Sequence, residues 1–265
     1  MGKLKIGLLQ FEIALGQPDE NLRRLRSHLR EAKALGVGLA LLPELWSTGY
    51  DLERAAELAS AKDEGIFHEM SLMAREFGLF LCGSVLEAAQ GRYFNTQVLC
   101  TPNGHTLGRY RKIHLFGLMD EPKFLAPGTA PLTVDLPVGK IGLSICYDLR
   151  FPELFRTYAL EGCQLILMSA EWPHPRSSHW RTLLMARAIE NQAFVAACNT
   201  VGAGNGNVFC GHSMIVNPWG EVLVEADESE GVFWAEIDLH DADEIRGRFP
   251  FLADAQTLLT PQPVS

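Results

Sequence analysis

Three residues whose side chains could do nucleophilic chemistry occupy matching places in the chain: Glu44, Lys112 and Cys146. Glu44 ends one apolar run, Lys112 follows the basic end of another, and Cys146 ends a third. A thiol, a carboxylate and an ammonium are the group types that a cysteine-dependent acyl transfer uses: an attacking group, a proton acceptor and a partner for developing negative charge. Singly, each has an ordinary alternative. A cysteine in an apolar run is usually inert core, and a loop Glu or Lys is usually solvated. Their common position favours convergence, because α/β folds present reactive side chains where rigid strands end in a crevice.

The elements that must hold them follow from periodicity. Lys3 to Phe11 reads as a buried strand and Asp19 to Leu35 as a helix, with Leu22, Leu25, Leu29 and Ala32 near a 3.6-residue period. Asp19 and Glu20 open that helix and Arg30 and Lys33 lie near its end, the order its dipole favours, and Gly36 stops it. Val37 to Leu42 is then a second strand, ending at Pro43-Glu44. The same order returns with a strand from Lys140 to Cys146, a helix from Pro152 to Glu161 and a strand from Gln164 to Ser169. Lys140-Ile141-Gly142-Leu143 repeats the letters of Lys5-Ile6-Gly7-Leu8, so two related halves of one domain are expected.

Between the halves, Gly78 to Leu86, Phe94 to Thr101 and His105 to Tyr110 read as shorter strands. Later come a helix from Ser178 to Gln192 and strands Phe194 to Cys198, His212 to Asn217 and Val232 to Ile237. The last two are expected to be joined through the turn residues Asn217-Pro218-Trp219-Gly220. Residues 1–247 are expected to be the domain, and 248–265, with Pro250, Pro261 and Pro263, an irregular tail that packs on itself or a partner.

Composition narrows the function. A net charge of −9 argues against a broad basic face for nucleic acid, despite the Arg109, Arg111, Lys112 cluster, and means that an anionic substrate needs a local cationic pocket. None of the six cysteines pair as C-x-x-C, so a disulfide scaffold and a zinc site are both disfavoured and reduced thiols in the cytoplasm are expected. His174 and His179 lack the spacing of a helical metal pair. No apolar run reaches membrane-spanning length, and no signal peptide is read at the start. Gly202-Ala203-Gly204-Asn205-Gly206 lacks the Gly-Lys-Ser/Thr ending of a phosphate loop and reads as a turn between strands. Cys146, two residues after Ser144, stands where a serine hydrolase elbow needs Gly.

Three segments, in order, carry a resemblance: Leu41-Leu42-Pro43-Glu44, Tyr110-Arg111-Lys112-Ile113-His114-Leu115, and Ser144-Ile145-Cys146-Tyr147-Asp148-Leu149-Arg150-Phe151-Pro152. With Ala186-Arg187-Ala188-Ile189-Glu190-Asn191 and Asn217-Pro218-Trp219-Gly220 following, the chain resembles the nitrilase superfamily of carbon-nitrogen hydrolases. The resemblance implies a four-layer α-β-β-α sandwich, a homodimer and no cofactor or metal. It implies that Cys146 is the nucleophile, Glu44 the general base and Lys112 the group that stabilises the tetrahedral intermediate, aided by a backbone N–H of Tyr147. Glu121, nine residues after Lys112, is a second catalytic Glu by the same resemblance, with a surface carboxylate beside Lys123 as the alternative. The chemistry needs these types: an ordinary thiol, with a pKa of about 8.5, is mostly protonated at neutral pH, and an amide is a poor electrophile.

Within the superfamily, Cys146 to Pro152 and Glu171-Trp172-Pro173-His174-Pro175-Arg176 resemble the omega-amidase-like branch, which deamidates 2-oxo acid amides such as 2-oxoglutaramate. A deaminated glutathione amidase and an N-carbamoyl amine hydrolase are the alternatives, and an idle binding module of the same fold is the non-enzymatic one. If the substrate carries a carboxylate, Arg150 and Arg176 are the candidates to receive it, Arg176 preferred, with pairing of Arg150 to Asp148 or Glu153 as its structural alternative. Trp172 and Trp180 are candidates for either core or pocket wall.

Overall fold

Apolar runs without polar alternation need cover on both faces, and here each strand layer has a helix layer on one side and the other strand layer on its other side. The structure, a computed structural model, describes residues 3–255. In chain order the strands are β1 (Leu4–Gln10), β2 (Leu39–Leu41), β3 (Phe80–Ala89), β4 (Arg92–Cys100), β5 (Thr106–Arg111), β6 (Thr133–Leu136), β7 (Gly139–Ile145), β8 (Leu165–Ser169), β9 (Phe194–Cys198), β10 (Val201–Gly204), β11 (Asn207–Cys210), β12 (Met214–Val216), β13 (Val222–Glu225) and β14 (Gly231–Ile237). One sheet runs β14-β1-β2-β3-β4-β5, the other β13-β12-β9-β8-β7-β6, and β10 with β11 forms a separate hairpin. Strands β1, β2 and β3 are parallel, as are β7, β8 and β9, with antiparallel strands at the edges of both triplets.

The burial pattern shows how the layers form. Leu4, Ile6 and Leu8 of β1, and Leu39 and Leu41 of β2, join the core between the sheets, while Leu9, Ala40 and Leu42 face the helices Pro18–Ala34 and Gly65–Phe77. Leu25, Leu29 and Ala32 of the first helix meet Phe67, Met70 and Met73 of the second in that outer core. The helices Pro152–Leu160 and Ser177–Asn191 cover the other sheet, completing the α-β-β-α sandwich. The two sheets match strand for strand, β14-β1-β2-β3-β4-β5 against β6-β7-β8-β9-β12-β13. The repeated four letters therefore fall on equivalent strands, β1 and β7. Each repeat holds a glycine where there is no room for a side chain: a Cβ on Gly7 would lie 2.9 Å from Val37, in the loop before β2, and one on Gly142 2.7 Å from the Tyr158 ring of a covering helix.

Several expectations need correction. The turn Asn217-Pro218-Trp219-Gly220 joins β12 to β13, a strand that the apolar pattern missed because it is a short, partly exposed edge. Gly231–Ile237 leaves that sheet and pairs antiparallel with β1, closing the first sheet with the chain's last strand. Val37 to Leu42 yields only a three-residue strand, and Cys146 begins a turn after β7 instead of ending it. Of the expected tail, Phe251–Asp254 forms a short helix, and residues 256–265 lie outside the described residues, as do residues 1–2.

The backbone after β5 is pinned by Gly128, whose N–H donates to the Lys112 carbonyl at 2.7 Å. A Cβ there would lie 2.8 Å from the Arg111 carbonyl carbon and closer still to its oxygen. Gly128→Ala should therefore lower the melting temperature by about 5 °C, as an overpacked backbone contact does, and depress turnover through displacement of Lys112. Differential scanning fluorimetry beside a rate assay checks both.

Candidate active site

Glu44, Lys112, Glu121 and Cys146 come from four separate loops and meet between the two sheets. Glu44 follows β2, where its backbone N–H donates across the sandwich to the Ala170 carbonyl beyond β8, at 3.3 Å. The next residue, Leu45, has φ +41° and donates its N–H to Ser84 Oγ at 2.8 Å. Lys112 continues the β4–β5 pairing, its N–H 2.9 Å from the Asn95 carbonyl. Glu121 opens the short helix Glu121–Phe124 after Asp120, which has φ +60°. Its second oxygen accepts the Phe116 N–H at 2.5 Å.

The Lys112 ammonium lies 2.7 Å from Glu44 Oε1 and 2.7 Å from Glu121 Oε1, and none of the three side chains is exposed. Tyr50 donates its hydroxyl to Glu121 Oε1 at 2.8 Å. Glu44 also accepts from Asn95 Nδ2 at 2.8 Å and from the Glu171 backbone N–H at 2.9 Å. Burial disfavours the Lys112 charge, but the carboxylates of Glu121 and Glu44 more than offset it and hold the ammonium above its ordinary range. For Glu121, burial outweighs Lys112, and the neighbouring Glu44 adds to the upward shift.

Cys146 has φ +41°, a region that non-glycine residues rarely occupy, and begins the 3-10 turn Cys146–Arg150. Asp148 holds that turn. It accepts the Ile145 N–H at 2.9 Å, the Tyr110 hydroxyl at 2.7 Å and the His114 N–H at 3.1 Å, with His114 Nδ1 at 2.7 Å. Burial pushes the Cys146 thiol well above its ordinary range, the charge and hydrogen bond of Glu44 push it further, and Lys112 pulls it back. These surroundings oppose ionisation of the thiol and set a carboxyl group beside it. The other five cysteines are also buried and free; Cys163 is pushed up to about 12 by burial and Cys210 to about 11.

The pocket over the thiol is lined by Phe116, Cys146, Tyr147, Arg150, Glu171, Trp172, Pro173 and Arg176. All four candidates for substrate contact, Tyr147, Arg150, Trp172 and Arg176, are therefore in it. Arg150 does not pair with Asp148 or Glu153: its guanidinium lies 4.8 Å from the Trp172 ring and 3.4 Å from His179 Nδ1. Arg176 lies 5.5 Å from the Phe116 ring. Among the described residues neither has a carboxylate within salt-bridge distance, whereas Arg109 and Arg111 are paired with Asp63 and Glu87. Trp172 is a wall and a core residue at once, and Trp180 is core, with its indole N–H bonded to the His212 carbonyl at 2.7 Å.

Sequence reasoning missed Asn95, Tyr50, Asp148 and Glu171. Nothing in local spacing shows that Asn95 and Tyr50 reach Glu44 and Glu121. Asp148 was read as a partner for Arg150, yet it points back to the backbone before the thiol. Glu171 opens the segment Glu171-Trp172-Pro173-His174-Pro175-Arg176, but only the meeting of the ends of β2 and β8 brings it beside Glu44.

The chain belongs to the carbon-nitrogen hydrolase family, whose model matches residues 5–247. Within it, the 2-oxoglutaramate amidase of Bacillus subtilis (strain 168) is 41% identical over 253 residues, covering 95% of this chain and 97% of that one. The human omega-amidase NIT2 is 35% identical over 260 residues, 94% of each chain. Among solved structures, a CN-hydrolase superfamily protein from Xanthomonas campestris with an arsenic adduct in its active site superimposes with a TM-score of 0.92 at 32% identity, over 98% of this chain and 100% of that one. A variant of the amidase from Nesterenkonia sp. AN1, carrying acrylamide added to its active-site cysteine, gives a TM-score of 0.83 at 27% identity, over 93% and 98%.

Glu171 offers a direct measure of the site's electrostatics. Burial first, then the charge of Glu44, hold its carboxyl well above the usual carboxylate range. The folded state thus keeps a proton that the unfolded chain releases above a pH of about 4.3, so its contribution to stability declines as pH rises from there toward the folded value. Glu171→Gln removes that titration. Its melting temperature should gain on the parent by about 3 °C for each pH unit between 5 and 7; thermal melts across that range check the slope.

Proposed function

We propose that this enzyme hydrolyses small linear amides to a carboxylic acid and ammonia through a thioester on Cys146, and that its substrate is a 2-oxo acid amide such as 2-oxoglutaramate. The observation that carries the reading is the buried Glu44–Lys112–Glu121 cluster set against the strained turn of Cys146, beneath a pocket with two unpaired arginines. The names of the relatives point to the same amide class.

The amide carbonyl carbon is attacked by Cys146 Sγ as Glu44 takes the thiol proton. The new alkoxide is stabilised by the Lys112 ammonium and by the Tyr147 N–H, which lies in the first turn, where backbone donors lack intrahelical partners. Glu44 then hands its proton to the departing ammonia as the tetrahedral species collapses to the thioester. In the second half it removes a proton from water, which attacks the thioester, and it returns that proton to the thiolate. Glu121 keeps Lys112 charged and in place; Trp172 walls the pocket. Arg176, with Arg150 beside it, receives the substrate carboxylate, which a chain of net charge −9 would otherwise repel.

We read residues 1–247 as the hydrolase domain and 248–265 as a tail. Six free thiols fit a reducing, cytoplasmic setting, and no helix among the described residues is long and apolar enough to cross a membrane. Exposed Ile189, Trp219 and Phe251 fit a face covered in a homodimer.

Ammonia release from a panel of amides tests the reading. The parent should hydrolyse 2-oxoglutaramate in preference to butyramide, and Cys146→Ala should lose more than about 1,000-fold in rate while melting like the parent; retained turnover in that variant would overturn the mechanism. Arg176→Ala should raise KM for 2-oxoglutaramate by about 10-fold or more and leave that for butyramide nearly unchanged. Equal effects on both amides would remove Arg176 from the carboxylate site.

A further inference from the structure

Glu171 lines the pocket over Cys146 and has no part in the mechanism above. It follows β8 and is 3% exposed, and its backbone N–H is committed to Glu44. Among the described residues its side chain makes no ion pair, and Oε1 is buried without a hydrogen-bond partner. The same side chain borders two cavities. On one side is the pocket with Cys146, Arg150 and Arg176; on the other is a space lined by Tyr50, Thr200 and Phe209 under the β10–β11 hairpin. A buried polar atom without a partner is costly, and in a binding pocket the missing partner is commonly the ligand.

We propose that Glu171 is a specificity-determining residue, which donates a hydrogen bond from its carboxylic acid to the 2-oxo oxygen on the acyl chain of the substrate. The inference rests on the amidase reading above. Three observations support it. First, Glu44 and Glu121 already share the one buried ammonium, which leaves the carboxyl of Glu171 without a cationic partner. Glu171 makes no ion pair with Lys112, and burial and then the charge of Glu44 hold its carboxyl well above the usual carboxylate range. Second, a neutral acid supplies an O–H donor, which a ketone oxygen accepts and a methylene does not. Third, the scissile amide and the carboxylate already have partners in the Cys146 turn with Lys112 and in the two arginines. Glu171 lines the same pocket as both groups, where the remaining oxygen of a 2-oxo acid amide needs a donor. An acyl chain without that oxygen leaves the acid unsatisfied, which is how a polar pocket rejects an analogue that lacks a hydrogen-bonding group.

The test compares 2-oxoglutaramate with glutaramate, the same amide lacking the 2-oxo group, in the parent and in the Glu171→Gln and Glu171→Leu enzymes. The parent should favour the 2-oxo amide. Glu171→Leu, of similar size but without a donor, should lose that preference by about 10- to 100-fold, chiefly through KM, with glutaramate changed less than about threefold. Glu171→Gln keeps a donor in its amide group and should retain most of the preference. A Leu enzyme that still discriminates, or that loses both substrates equally, overturns the proposal, as does a Gln enzyme that behaves like Leu. Should the Leu variant melt early, Glu171→Met supplies the second donor-free side chain. A parent inert toward both amides overturns the amidase reading itself, and this inference with it.

Discussion

The Lys112 ammonium is held between two carboxylates at 2.7 Å each, with none of the three side chains exposed. A buried charge costs several kcal/mol or more unless its partners are close and fully hydrogen-bonded, so this contact constrains everything around it. Glu44 takes further bonds from Asn95 and the Glu171 backbone, and Glu121 from Tyr50 and the Phe116 backbone. Each of those donors sits on a different strand or loop. Moving any one element by a bond length would leave a charge unpaired in a low-dielectric space, so the cluster fixes the relation of the two sheets as much as the sheets fix the cluster.

That arrangement explains why reactive groups collect at one edge of the sandwich. β2, β7 and β8 are parallel members of the two triplets, and Glu44, Cys146 and Glu171 follow their carboxyl ends. The Glu44 N–H bond to Ala170 joins the ends of β2 and β8 directly. Backbone strain falls at the same place: Leu45 and Cys146 both have φ of +41°, and each is locked by neighbouring hydrogen bonds. The Asp148 hub carries the cost for Cys146, tying β5, the His114 segment and the end of β7 to one carboxylate.

Charge also organises the mouth. Several of the chain's arginines are spent on surface or structural acids, as Arg111 is on Glu87 and Arg187 on Glu190. Arg150 and Arg176 instead lie against Trp172 and Phe116, aromatic faces that hold a guanidinium without neutralising it. An acidic protein thereby keeps a cationic entrance to a site that already contains carboxylates.

The sequence by itself determined the strand-helix-strand order of the two halves and the places of Glu44, Lys112 and Cys146, because these rest on local periodicity and on short contiguous motifs; the layer order followed from the resemblance that those motifs carry. Even the four repeated letters marked equivalent strands, each with a glycine crowded by a side chain packed on it. It did not determine that the last strand returns to β1, since a half-exposed strand such as Gly231–Ile237 has no pattern naming its partner. Nor could it show that Asp148 turns inward and leaves Arg150 unpaired, or that Asn95, Tyr50 and Glu171 complete the site. Those groups are separated by tens of residues in the chain, and their role comes from distance and dielectric. Both exist only once the two sheets have closed on each other.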